Sequence, residues 1–227
     1  MTRALARSHF HRSSLIRVLS DLAMVEAGPG GAFAEKLGQW VDIASAITLR
    51  AVHNTGVASP AAPKAPKFGS AIGEEFDRVR AALAQAIAKT DFPKPGGPLD
   101  VAPSFEPYRR HYAAQQRDMA LKIPRLQARV REVLAGACPA LQQLVALDEV
   151  FVTMLSERED KLLSRLPALM EQRFKHLYQQ QEQTAQPSDD WLVRFGHEFQ
   201  TVLLAELDVR LQPTLGLLEA LAHEKTH

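Results

Sequence analysis

Between Ser104 and Gln186 the sequence carries two consecutive stretches in which large apolar residues recur at helical spacing, joined by a short turn built on Gly136 and Pro139. In the first, Phe105, Tyr108, Tyr112, Met119, Ile123, Leu126, Val130, Val133 and Leu134 fall on one stripe when each residue advances the helix by about 100°. In the second, Leu141, Leu144, Val145, Phe151, Val152, Leu155, Leu162, Leu166, Leu169, Met170 and Leu177 do the same. The second arm, about 40 residues of helix, spans roughly 60 Å at 1.5 Å per residue. Two long amphipathic helices joined by so short a turn lie antiparallel and bury their stripes against helix.

Local signals mark the ends. Ser104 is an N-cap residue, and Glu106 puts a carboxylate in the positive first turn. Pro124 and Pro167 fall inside the two patterns and predict kinks. Gly136 suits a left-handed cap, and Pro139 cannot continue the first helix.

Charged residues interrupt the second stripe. Asp148, Glu159 and Arg173 stand where a plain bundle has leucine, and a charge taken out of water needs a partner. Folding the hairpin about residues 137–138 brings Asp148 level with residues 125–131. The expectation is a pair with Arg129 or Arg125 that fixes the register, as buried polar groups do in coiled coils. The competing reading leaves Asp148 in solvent. On the last helix Glu206 and Arg210, four apart, are in the favourable order for an ion pair. All of these are read as structural ions before catalysts.

Around the hairpin the chain divides by composition. Residues 1–12, with three arginines, two histidines and no acid, form a basic tail. Residues 13–53 form an N-terminal helical hairpin: Leu15, Val18, Leu19, Leu22 and Val25 on one helix, then Phe33, Leu37, Trp40, Ala44, Ile47 and Ala51 on the next, with Trp40 as core anchor. A Pro/Ala/Lys linker, 54–70, leads to a short helix over 71–90 bearing Ile72, Phe76, Val79, Leu83 and Ile87. A Pro/Gly linker, 91–103, leads to the long bundle of 104–223. The fold class is therefore all-α: an elongated helical bundle on a long antiparallel hairpin, with an N-terminal helix pair and Pro-rich linkers.

The residue inventory excludes more chemistry than it offers. A single cysteine, Cys138, rules out an internal disulfide or a multi-cysteine zinc site. A net charge of +1 gives no global attraction to nucleic acid or membrane. No apolar run is long enough to span a bilayer, and no phosphate loop, dinucleotide fingerprint, metalloprotease helix or calcium loop is present. No cofactor and no metal is expected. Arg109, Arg110, Arg117, Arg125, Arg129 and Arg131 mix with Tyr108 and Tyr112 on one helix, but the tyrosines belong to the core stripe. A nucleic-acid role thus ranks below a protein partner, and an enzyme using the core ions ranks third.

Several segments in order carry a resemblance: Phe33–Asp42, Tyr108–Tyr112 with Gln116–Met119, Leu144–Asp148, Ser156–Glu159 with Leu162 and Leu163, Pro167–Phe174 and Ala205–Pro213. Together they resemble a bacterial family known as domain of unknown function 3348, over about Ser13 to Leu221. That resemblance brings no activity, cofactor or catalytic residue. It implies a cytoplasmic accessory of a cell-envelope complex. The function expected is a non-enzymatic interaction or scaffolding protein that associates laterally with a partner or with itself.

Overall fold

Phe195, Phe199, Val202, Leu203, Leu207, Leu211, Leu217 and Leu221 repeat at helical spacing near the end of the chain, and every one is buried. They lie on the helix around which the bundle is arranged in a computed structural model that describes residues 14–22, 46–47, 50–51, 69–89, 104–183 and 190–224. Those residues form α1 (Ser14–Asp21), α2 (Gly69–Ala88), α3 (Glu106–Ala135), α4 (Pro139–Leu163), α5 (Leu166–Glu182) and α6 (Asp190–Glu224), with no strand among them. The all-α bundle that the periodicity predicts is what they build.

The centre is not where the apolar stripes of the hairpin suggest. α6 packs against each of α1 to α5, whereas α4 is buried mainly at its two ends. Side-chain pairs give the directions. Phe105 meets Phe195, Tyr108 meets Phe199 and Tyr112 meets Glu206, so α3 and α6 run parallel. Arg80 meets Asp208 and Gln200 meets the Ala88 carbonyl, so α2 runs antiparallel to α6. α2 packs on both α3 and α6 through Ile72, Phe76, Leu83 and Ile87. α1 packs on α6 with Leu15 and Leu19 buried.

α3 and α4 do form an antiparallel pair: Arg131 meets Asp148 and Gln116 meets Leu163, so residues farther from the turn meet each other. Three local details differ from expectation. Ser104 accepts the Glu106 N–H at 3.2 Å, one residue ahead of the helix N-cap at Phe105. Gly136 closes α3 at φ −84°, in the right-handed region, so the turn does not use glycine's left-handed freedom. The second arm is broken at Ser164–Arg165 instead of kinked, with Pro167 in the first turn of α5. Proline has no N–H, and its ring collides with the carbonyl four residues back, here that of Leu163.

One end of the bundle is held by rings. Tyr108 stands edge-on to Phe195 at 5.1 Å, Phe174 edge-on to Phe195 at 5.0 Å, and Phe105 and Phe199 close the group. Edge-to-face pairs of this kind contribute about 0.5–1.5 kcal/mol each beyond area burial. Trp191 lies at its margin, edge-on to Phe174 and tilted against Tyr178. The anchor expected at Trp40, the basic tail, the 91–103 linker and all but residues 69–70 of the 54–70 linker lie outside the described residues. Of the second N-terminal helix only 46–47 and 50–51 are described, with Ile47 exposed.

Candidate functional site

Glu206 has no exposed surface at all, yet it carries a carboxylate in the middle of the bundle. Helical spacing puts it on the same face of α6 as Phe195, Phe199 and Val202, so burial of that face takes it along. Its two oxygens are met from three sides. Tyr112 on α3 donates its hydroxyl at 2.8 Å, Gln116 donates its amide at 3.0 Å, and Arg210 donates Nε at 3.0 Å. The Gln116 amide also reaches the Leu163 carbonyl at 3.1 Å, the oxygen that Pro167 has deprived of its helical donor. Burial first, and the neighbouring Glu206 charge second, push the Tyr112 hydroxyl well above the usual tyrosine range, so it stays a proton donor to the carboxylate.

Beside this cluster α3, α4 and α6 enclose an open cleft of about 310 Å³. It exists because α4 touches the bundle at Leu141 and Val145 and again at Leu163, with no buried residue in between. Phe151, Val152 and Leu155 form one wall, Met119 and Ile123 the floor on α3, and Pro213 the far side on α6. Asp148 lies toward one end; Glu159, Asp160 and Arg210 lie toward the other.

The two carboxylates that interrupt the α4 stripe have different surroundings. Asp148 accepts from Arg131 Nε at 2.7 Å and from Gln127 at 3.2 Å, and it forms an ion pair with Arg131 Nη2 at 2.6 Å, the pair being only 18% and 12% exposed. Its partner is thus Arg131, not Arg129 or Arg125. The cause is helical phase: Gln127 and Arg131 lie on the flank of α3 that faces α4, and Arg125 and Arg129 lie on the opposite flank. Arg129 pairs along its own helix with Glu132 at 2.8 Å, and Arg125 is exposed. Glu159 is half-buried in the cleft and makes no hydrogen bond or ion pair with any described residue. Burial, with Asp160 and Glu206 nearby, raises its pKa above the ordinary glutamate value, and Arg210 opposes the shift.

Arg173 leaves this region altogether. It points from α5 to α6, where both Glu198 oxygens accept from it at 2.8 Å and Arg194 adds a third bond at 2.9 Å. Burial alone would raise the Glu198 carboxyl, but the bonds from Arg173 and Arg194 outweigh it and hold the pKa below the usual value. Residue spacing did not single out Glu198, Gln116 or Tyr112 as site residues. The available signals were a tyrosine in an apolar stripe, whose hydroxyl needs an acceptor, and an acid one turn from Arg194.

Several cationic side chains of α3 have partners within the bundle. Arg109 pairs with Glu171 and Glu106, Arg110 with Glu106, and Arg117 with its own backbone. Among the described residues no group of three or more histidine, cysteine, aspartate or glutamate side chains is placed to hold a metal ion. No helix among them is long and apolar enough to cross a membrane. The arrangement therefore offers an apolar trench with one unpaired carboxylate beside a satisfied, sealed ion cluster.

These features define an all-α bundle protein with a lateral cleft. The chain belongs to the family described as protein of unknown function (DUF3348), which it matches over residues 1–223. Comparison with curated proteins and with solved structures finds no match.

Proposed function

We propose that this chain is a non-enzymatic interaction module whose α4 receives an amphipathic helix from another protein. The observation that carries the reading is the state of α4 between Val145 and Leu163. Leu147, Val150, Phe151, Met154 and Leu155 all lie there, and none is buried. A bundle that needed α4 only for its own core would seal this face, since each large apolar side chain buried contributes about 1.5–3 kcal/mol. Leu147, Val150 and Met154 are half-buried and sit outside the cleft lining, so the incompletely covered apolar surface is wider than the trench. A small ligand in the trench would leave them partly exposed, whereas a helix laid along α4 covers both. In the reading carried by the family resemblance, the partner belongs to a bacterial envelope complex and the module works on its cytoplasmic side.

The test is a photo-crosslinking residue at Phe151 in the native host, compared with one at exposed Arg110. Support is a discrete crosslinked species formed from position 151, absent from position 110, and lost in a folded Leu147→Asp variant. Equal capture from both positions overturns the reading, as does tight, salt-dependent binding to duplex DNA.

A further inference from the structure

Resting on that reading, we propose that the helix received by the cleft carries a lysine or arginine that docks at the Glu159 end, so that binding has a fixed direction. Charge complementarity at the two ends carries the argument. Asp148 and Glu159 are eleven residues apart on α4, about three turns, and both line the trench. Asp148 is answered within the chain: Arg131 and Gln127 occupy the same oxygen, and a further cation would find it already neutralised. Glu159 is not answered. Among the described residues the only cation lining that end is Arg210, which donates Nε to Glu206 at 3.0 Å and stands 3.8 Å from Asp160. One guanidinium thus serves three acids, Glu159, Asp160 and Glu206, and Glu206 has first claim on it.

An incoming ammonium or guanidinium would correct this imbalance, and its methylene stem would lie on apolar wall. Pro124 adds to the polar side of the trench. It leaves the Ala120 carbonyl without its helical donor, and both residues line the cleft. A second copy of this chain suits the site less well, because the exposed charges of α4 near Glu159 include Glu157 and Asp160 alongside Arg158 and Lys161 and offer no net positive end.

The probe is a set of fluorescein-labelled amphipathic peptides of about four turns, identical on their apolar face and ending in lysine, arginine, glutamine or glutamate. Binding to the full chain is followed by anisotropy. Expected is roughly tenfold tighter binding of the lysine and arginine peptides than of the glutamine peptide, as for one charge-assisted bond at a half-exposed site. Glu159→Gln removes that preference, and Asp160→Asn reduces it. Glu159→Lys reverses it in favour of the glutamate peptide, a gain that a misfolded variant could not show. Equal binding of all four peptides overturns the cation inference and leaves the helix-binding reading standing. No binding by any of them, or binding untouched by Phe151→Asp, overturns both. A dimer in light scattering that Phe151→Asp dissolves assigns the face to a second copy instead.

Discussion

Gln116 donates its side-chain amide to the backbone carbonyl of Leu163, 3.1 Å away, at the place where α4 ends. The same amide meets Glu206. One side chain on α3 therefore closes the break between α4 and α5 and helps satisfy the buried carboxylate of α6. Pro167 creates the need for the first bond, because it supplies no N–H four residues on. Gln116→Ala should cost about 1–3 kcal/mol, the penalty of leaving buried acceptors unmet. In a Pro167→Ala background the cost should be smaller, since an N–H at 167 can serve the Leu163 oxygen. Urea unfolding of the four proteins in this cycle checks it, and strict additivity would contradict the linkage.

The sealed cluster makes a stronger demand. With Arg210→Leu, Glu206 keeps Tyr112 and Gln116 but loses its only bonded cation, and stability should fall by about 3–5 kcal/mol. Removing both charges in Glu206→Leu/Arg210→Leu should recover only part of that loss: the buried pair roughly offsets its own desolvation, but the Tyr112 hydroxyl is then buried without its acceptor. Denaturant midpoints decide between this and independent effects of the two residues.

At the hairpin, coupling energies identify the register lock. Asp148→Asn and Arg131→Gln should be non-additive by about 1 kcal/mol, whereas Asp148→Asn with Arg125→Gln or Arg129→Gln should be additive. Coupling to Arg129 instead would mean that α4 faces the other flank of α3.

This last contrast marks how far the sequence could be read. Period and end signals placed α2, α3 and α6, because each buries one continuous stripe and 3.6-residue spacing states which residues share it. They also marked Asp148, Glu159, Glu206 and Arg210 as ions on apolar faces. They could not say which flank of α3 meets α4, since Arg125, Arg129 and Arg131 are level with Asp148 and differ only in rotation. Nor could they show that α6 is the centre. The hairpin stripe looks complete on paper, and only packing reveals that Phe151 and Val152 stop short of the core. Arg173 shows the same limit: its partner Glu198 is 25 residues away on the next helix, α6, and spacing along one helix does not say which residue of another it meets.

Gly136 yields a prediction from geometry alone. Its φ of −84° is open to any residue, and a Cβ there would meet only the Val133 and Glu132 carbonyl oxygens, at 3.7 and 3.8 Å. Gly136→Ala should therefore stabilise the chain by about 0.4–1 kcal/mol, by narrowing the freedom of the unfolded state. Thermal unfolding checks it, and a lowered midpoint would show that the turn needs glycine for some other conformation.

Two glutamates should give the stability curve slopes of opposite sign. Glu198 has a folded pKa below the ordinary value of 4.5, burial being outweighed by Arg173 and Arg194. Its contribution is present above the unfolded value and is lost as pH falls through the lower, folded one. Glu159 has a folded pKa above 4.5, raised by burial and then by Asp160 and Glu206. The folded state favours its protonated form, so its contribution is full below the unfolded value and is lost as pH rises through the higher, folded one. Urea midpoints between about pH 3 and pH 7 separate the two. Glu198→Gln should lower stability near neutrality by about 3 kcal/mol, because Arg173 then lacks its carboxylate, and should flatten the acid limb. Glu159→Gln should leave the acid limb alone and remove the decline that begins above about pH 4.5. A Glu159→Gln curve parallel to wild type throughout would mean that this carboxyl is as well solvated in the bundle as in the unfolded chain. The cleft would then hold no unmet charge for a partner to answer.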